Sequence, residues 1–497
     1  MLIEDGEIIF GEWLPDQTIF RNPGLVEARN CMPVDGGYKE FLELSVVDDA
    51  LAGAPKGAFA TIDNSGDPEI YAATADAIYE KSGPSWADRS GATYTTVEYW
   101  RFAQFDDYVI ATNYADAPQR KAIGSGSNFE GLASTGTAPR ARQIGVIGRF
   151  VVLGDIDPGT AIPYAVQWSA IDDPTNWPTP GTAGARTVQS GIQLLDSVLG
   201  AVSGITNGQF YGLVFQERGI SRFTYVGGDV VFQVDTFEHS RGAWAPQSII
   251  QVGNLTYFIA ADGFYVTDGQ TVRPIGDGKV DRWFYSSLDQ TRIDEVRAGV
   301  DLINKCILWC FPSASAPAGQ ADRFLVYNVA RDRFSWAESA SQLVFNSYSQ
   351  GYTLEQLNDL FPNLDEMTIS LDSPLWQGGF PVLMGFAGAK VGTFSGGALN
   401  AVFETGEFDM NPFGYTFIRG ARPLVTGAPT SVTVALADRG TLDNSSRIWG
   451  PPVTRNARSG VCGFRKNGRF LSARLAVAGG FDRAIGVQFD AEAGSLL

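Results

Sequence analysis

Leu255-Thr-Tyr-Phe-Ile259-Ala-Ala-Asp262-Gly263-Phe-Tyr-Val-Thr267-Asp268-Gly269 reads as strand, turn, strand, turn. Two short runs of aromatic and β-branched residues are each closed by an Asp-Gly pair, the commonest short-range signal of a hairpin. Between about residues 58 and 400 this unit recurs with seven starts. The others are Phe59-Ala-Thr-Ile62, Tyr108-Val-Ile-Ala-Thr112, Phe150-Val-Val-Leu153, Phe210-Tyr-Gly-Leu-Val-Phe215, Cys306-Ile-Leu-Trp309 and Leu383-Met-Gly-Phe386. Partner strands include Ser221-Arg-Phe-Thr-Tyr225, Phe324-Leu-Val-Tyr327 and Val391-Gly-Thr-Phe394. Radially repeated small sheets have this sequence habit, because circular closure leaves few open edges. The spacing predicts an irregular β-propeller of six or seven blades over 56–402, with inserted loops. A set of β-sandwiches is the rival architecture on periodicity alone.

Working outward, 497 residues imply two to four folding units. With 57 glycines and 25 prolines the chain is poor in long helices, and its 44% hydrophobic content supplies cores, so the expected class is all-β. Residues 340–381 break the hairpin pattern. There Leu354, Leu357 and Phe361 fall at helical spacing before Pro362, predicting one short helix in an insertion. After Phe403, Thr430-Ser-Val-Thr-Val-Ala-Leu436, Arg469-Phe-Leu-Ser-Ala-Arg-Leu475 and Ile485-Gly-Val-Gln-Phe489 alternate between two faces. That pattern predicts a separate small β-sandwich over 403–497, with residues 1–55 as a turn-rich N-terminal arm.

Charge and composition exclude several functions. Acidic residues outnumber basic ones 55 to 37, a formal balance of −18, which disfavours a protein that grips nucleic acid by neutralising phosphates. Residues 401–497 carry 11 basic and 8 acidic side chains, so the first 400 residues hold −21 against +3 beyond them. The N-terminus lacks the basic start and apolar run of a signal peptide, so synthesis in the cytoplasm and no membrane insertion are expected. The four cysteines read as unpaired core residues: in a strand, Cys306 and Cys310 stand roughly 13 Å apart. One histidine, His239, leaves a single possible imidazole base and no multi-histidine zinc site. Gly276-Asp-Gly-Lys-Val280 lacks the upstream glycine and the hydroxyl of a phosphate-binding loop. The carboxylate pairs Asp155/Asp157 and Asp172/Asp173 have the composition of a glycosidase pair, but equally that of turns. No catalytic set, cofactor or metal site is expected.

The ordered elements Gly11-Glu-Trp-Leu-Pro15-Asp16, Asn22-Pro23-Gly24, Ala28-Arg29-Asn30, Pro33 and Gly36-Gly37-Tyr38 resemble the N-terminal segment of virion proteins of short-tailed double-stranded DNA phages. Gln167-Trp168-Ser169-Ala-Ile-Asp-Asp173-Pro174-Thr-Asn-Trp177, the pair around Ala261–Tyr265, and Gly460 to Phe470 resemble the same group, so the resemblance spans nearly the whole chain. Within it the chain is similar to the tail nozzle, or tail tubular protein B, family. The resemblance implies a non-enzymatic structural protein of the virion tail, made in the host cytoplasm. It further implies a homo-oligomer, a six-membered ring, with an adaptor ring above, fibres or spikes around it, and double-stranded DNA passing through the centre without specific binding. For Pro15, Asp16, Asn22, Pro23, Gly24, Gly37 and Tyr38 two readings stand: turns that start the fold, or an arm that docks an adjoining subunit. Arg455, Arg458, Arg465, Lys466 and Arg469 form a basic cluster suited to an acidic neighbour. A function of another class fits the same propeller: a lectin or glycosidase acting on bacterial surface glycans, with exposed tryptophans stacking on sugars.

Overall fold

The computed structural model describes residues 3–4, 6–97, 99–349, 379–411, 414–442 and 447–493. Seven blades of four antiparallel strands stand around an axis; six are separate sheets, and the blade of residues 297–341 is one end of a ten-stranded sheet. The first six take their strands from residues 57–88, 101–131, 140–194, 202–238, 250–274 and 297–341 in turn. Their innermost strands are Gly57–Ile62, Arg101–Phe105, Arg140–Ile147, Val202–Ile205, Ile250–Val252 and Arg297–Asp301. The seventh blade starts at Leu343–Tyr348, which packs against Gly57–Ile62 and closes the circle. The architecture is the expected irregular propeller, and the blade number is seven.

Six of the seven starts read from the sequence turn out to be the second strand of a blade. A second strand has sheet neighbours on both edges and a blade against each face, so it reads as a continuous apolar run. Every residue of Cys306–Phe311 is buried, as is all of Phe150–Asp157 but its last. Innermost strands face the hub and carry less: Ile250–Val252 has no buried residue. Hydrophobic clusters fill the spaces between blades, with Tyr71, Trp100, Val109 and Phe129 between blades 1 and 2, and Phe150, Trp168, Val214 and Phe232 between blades 3 and 4. Burying such aromatic side chains contributes about 2–3 kcal/mol each.

The first expectation that changes is the N-terminal arm. Leu42–Ala50 is the outermost strand of blade 7, paired antiparallel with Lys390–Ala398. The propeller thus begins at residue 42, and a strand from before blade 1 seals the edge that blade 7 otherwise leaves open.

The second is the C-terminal domain. One sheet of the sandwich comprises Glu7–Ile9, Phe481–Ala493, Thr416–Gly427 and Cys462–Gly468, with Gly37–Glu40 and Cys31–Val34 attached. The other comprises Leu25–Arg29, Ala401–Thr405, Phe470–Ala478 and Ser431–Arg439, and runs on through the parallel pairing of Arg29 with Trp336 into the blade of residues 297–341. Both ends of the chain therefore build it, and 403–497 is not a separate unit. The alternation in 430–489 signals two-faced strands but carries no mark of which strands complete the sheets. One continuous core, including Trp13, Tyr38, Phe403 and Leu475 of the sandwich and Phe264, Trp309 and Trp336 of blades 5 and 6, joins it to the propeller. The expected helix with Leu354, Leu357 and Phe361 lies outside the described residues.

Candidate functional site

The N-terminal residues singled out by the sequence converge on the seam between propeller and sandwich. Trp13 is buried, donates from Nε1 to the Val26 carbonyl at 3.1 Å, and meets Trp283 edge-on at 4.7 Å. Asp16 accepts from the backbone N–H groups of Arg282 (2.7 Å) and Trp283 (2.8 Å), at the start of the helix Asp281–Ser287. The residue preceding that helix, Val280, supplies no side-chain cap, so a carboxylate more than 260 residues upstream fills the role. Burial raises the Asp16 pKa, and the two backbone bonds oppose it. Asn22 donates to the Leu14 carbonyl at 3.0 Å and accepts from the Gly24 N–H at 2.9 Å, the self-bonding that turns require. A Cβ on Gly24 would lie 1.9 Å from the Glu12 carbonyl oxygen, so no other residue fits there. Gly37 has φ +149° and faces the Ala484 carbonyl, while the Tyr38 hydroxyl donates to the Gly11 carbonyl at 2.8 Å.

Asn22, Gly24, Gly37 and Tyr38 are buried within their own chain and leave no surface for a neighbour, so for them the docking-arm reading gives way to the turn reading. Pro23 is exposed, and Pro15 and Asp16 are partly so.

The basic cluster lies along one rim of the sandwich. Cys462–Gly468 is the edge strand of the first sheet, and Arg458 and Arg465 are exposed on and beside it. Lys466 is committed to an ion pair with Asp438, and the Arg469 guanidinium lies 5.3 Å over the Phe470 ring. Elsewhere in the domain several basic groups are internally paired: Arg447 and Arg474 with Glu404 at 2.6 and 2.8 Å, and Arg439 with Glu407 at 2.5 Å. Among the described residues Arg455, Arg458 and Arg465 are in no ion pair, so this rim carries uncompensated positive charge. Charge on an edge strand also discourages unwanted strand pairing.

The carboxylate pairs are occupied structurally. Asp155, at a register shift in its strand with φ +52°, pairs with Arg142 at 3.0 Å, and Asp157 pairs with Arg140 at 2.5 Å. Burial pushes the Asp155 carboxyl up to about 6, against the pull of Arg142. Asp172 pairs with Arg149, and Asp173 accepts from the Thr175 N–H and hydroxyl at 2.9 and 2.7 Å. The same knot holds Trp177, whose Nε1 donates to the Pro174 carbonyl at 2.8 Å. His239 is exposed at the end of a blade 4 strand. Among the described residues no cluster of His, Cys, Asp and Glu has the makings of a metal site, and none of the ten described tryptophans is exposed.

A feature without any sequence mark is a cavity of about 420 Å³ at the hub of the propeller, lined by Arg101 and Arg297 among others. Each arginine is the first residue of an innermost strand, and only the radial arrangement brings them to one place.

No protein-family model matches the chain, and no curated protein matches it. Among solved structures, the chain is similar to U3-55K, at 8% identity and TM-score 0.38 over 62% of this chain and 91% of that one. It is also similar to the extracellular domain of the one component system BT4673 from B. thetaiotaomicron, at 9% identity and TM-score 0.41 over 82% of this chain and 47% of that one. A third is PorZ, a bacterial surface component of the type-IX secretion system of Porphyromonas gingivalis, at 10% identity and TM-score 0.36 over 74% of this chain and 43% of that one. The chain spans less than half the length of the last two.

Proposed function

We propose that this chain is a structural subunit of a phage tail nozzle, assembling as a homohexameric ring below an adaptor ring, with fibres or spikes around it. The observation that supports this reading most directly is where the resembling residues lie. Trp13, Asp16, Asn22, Gly24 and Tyr38 tie both chain ends, a helix and two blades together around one shared core, as a part whose function is shape requires. In this reading double-stranded DNA passes between subunits, since the hub cavity of a single propeller, about 420 Å³, is the size of a drug-sized ligand site. The −21 balance of the first 400 residues supplies carboxylates for a wall that repels the duplex within the roughly 8 Å reach of charge at physiological salt.

The test is a negative-stain image of the purified chain mixed with its adjoining tail components. A ring with a central hole is expected, and isolated monomers persisting in that mixture would overturn the reading. A glycan array with hydrolysis assays on host polysaccharide tests the lectin or glycosidase alternative, and clear turnover there would replace the structural reading.

A further inference from the structure

The hub cavity brings together the first residues of five innermost strands, Gly57, Arg101, Ile250, Arg297 and Leu343. Two of the five are arginines. Arg101 donates from Nη2 to the Pro246 carbonyl at 2.8 Å and lies 5.9 Å from the Tyr99 ring, while Arg297 donates from Nη1 to the Asp294 carbonyl. The Nε atoms of both are buried and have no hydrogen-bond partner. A guanidinium carries five N–H donors, so most of the donor capacity on this pair is unspent. Among the described residues neither arginine has a carboxylate within ion-pair distance. Glu295, two positions before Arg297, is turned to Arg292 at 2.6 Å.

Two half-buried cations without a counter-ion are an unfavourable arrangement, because the partial desolvation of each is not offset and each repels the other. Burial lowers the proton affinity of both groups. For Arg297, burial together with the Arg101 charge brings the pKa down to about 10. A built ion pair would push these values the opposite way. The surrounding wall is mixed: Phe59, Trp100 and Phe102 supply apolar surface, and Gln247 and Ser347 supply polar atoms. Planar forks of donors match the paired oxygens of a carboxylate or phosphate group.

We propose that the propeller hub binds a small oxyanion, a molecule bearing a phosphate or carboxylate group, held between the guanidinium groups of Arg101 and Arg297. The site stands apart from the nozzle reading and neither depends on the other. Its volume admits the anionic group with a modest organic remainder, and the missing negative charge is what the two side chains lack from their own chain.

Calorimetric titration of the full-length protein with inorganic phosphate, and separately with citrate, at constant ionic strength in chloride tests the site and tells the two anion sources apart. One-to-one binding of at least one of them is expected, weakened about tenfold or more in R101Q and in R297Q. R297K, which keeps the charge and loses the fork, is expected to fall between parent and R297Q. Folding of each variant is checked by circular dichroism, and R297K serves where a glutamine variant does not fold. The proposal is overturned if neither anion binds at about 10 mM, or if binding is unchanged in the folded variants.

Discussion

Nζ of Lys81 lies 3.0 Å from Oδ1 of Asp48, with the two side chains 1% and 5% exposed. Asp48 belongs to Leu42–Ala50, the outermost strand of blade 7, and Lys81 to Ile78–Ser82 of blade 1. The pair therefore spans the seam where the circle closes. Lys81 also donates to the Gly83 carbonyl at 2.5 Å and sits 6.0 Å from the Trp86 ring. Burial lowers its proton affinity, while the charge of Asp48 opposes that shift.

Removing one member takes the opposing charge from the other inside a dry seam, so K81M and D48L are each expected to lower stability by about 3–5 kcal/mol. The double variant K81M/D48L is expected to recover much of that loss, because two apolar groups need no partner. Denaturant melts of the four proteins measure this, and additive losses in the double variant would contradict a coupled clasp.

Asp16 closes the N-terminus of the helix Asp281–Ser287 from a distant part of the chain. D16A is expected to lose about 1–2 kcal/mol, with D16N intermediate because it keeps one acceptor. An unchanged melting temperature in the monomer would mean that the contact carries no stability and would return Asp16 to the set of assembly residues.

Three carboxyls are held protonated beyond their ordinary range. Burial pushes Glu27 up to about 7, with Glu404 and Glu338 adding to the shift, and burial pushes Asp281 up to about 7, with Asp16, Asp277 and Asp262 adding. Asp155 is raised to about 6. Across this window the folded state holds more protons than the unfolded one, so stability falls as pH rises through 6 to 7. The melting temperature is expected to be higher at pH 5 than at pH 8, and D281N, which retains an acceptor for the Phe264 N–H, to flatten the slope. A profile that rises toward pH 8 would contradict the assignment.

The sandwich depends on both ends of the chain. Residues 401–497 expressed alone are expected to remain unfolded or to aggregate, since Ala401–Thr405 loses Leu25–Arg29 and Phe481–Ala493 loses Glu7–Ile9. In the full chain W13A is expected to cost about 3–5 kcal/mol by emptying a buried site. A dispersed, folded NMR spectrum from residues 401–497 alone would refute the shared architecture.

For the rim of the sandwich, reversing Arg455, Arg458 and Arg465 to glutamate is expected to weaken ring assembly in the nozzle reading and to change its salt dependence, with the monomer's melting temperature kept within about 1 °C. Sedimentation of parent and variant over a salt series reads both. Unchanged assembly would remove this rim from the contact surface.

Seven runs of aromatic and β-branched residues marked the propeller repeat without deciding between six and seven blades; six of the runs are second strands, which are covered on both faces, so their burial is written locally, residue by residue, as in Cys306–Phe311. Turn residues were legible for a similar reason: the Asn22 side chain accepts from the Gly24 N–H only two positions on. The tertiary structure alone decided which strands become neighbours. Alternation in 430–489 demands a buried face without naming what buries it, and the same holds for Leu42–Ala50, whose partner lies more than 300 positions away. Asp16 at the helix of residues 281–287, Asp48 at Lys81, and Arg101 beside Arg297 are joined by closure of the circle and the docking of the sandwich upon it. Local sequence encodes the free energy of burying or turning a segment, whereas the choice of partner depends on complementary shape and charge between segments that meet only once the whole chain has folded.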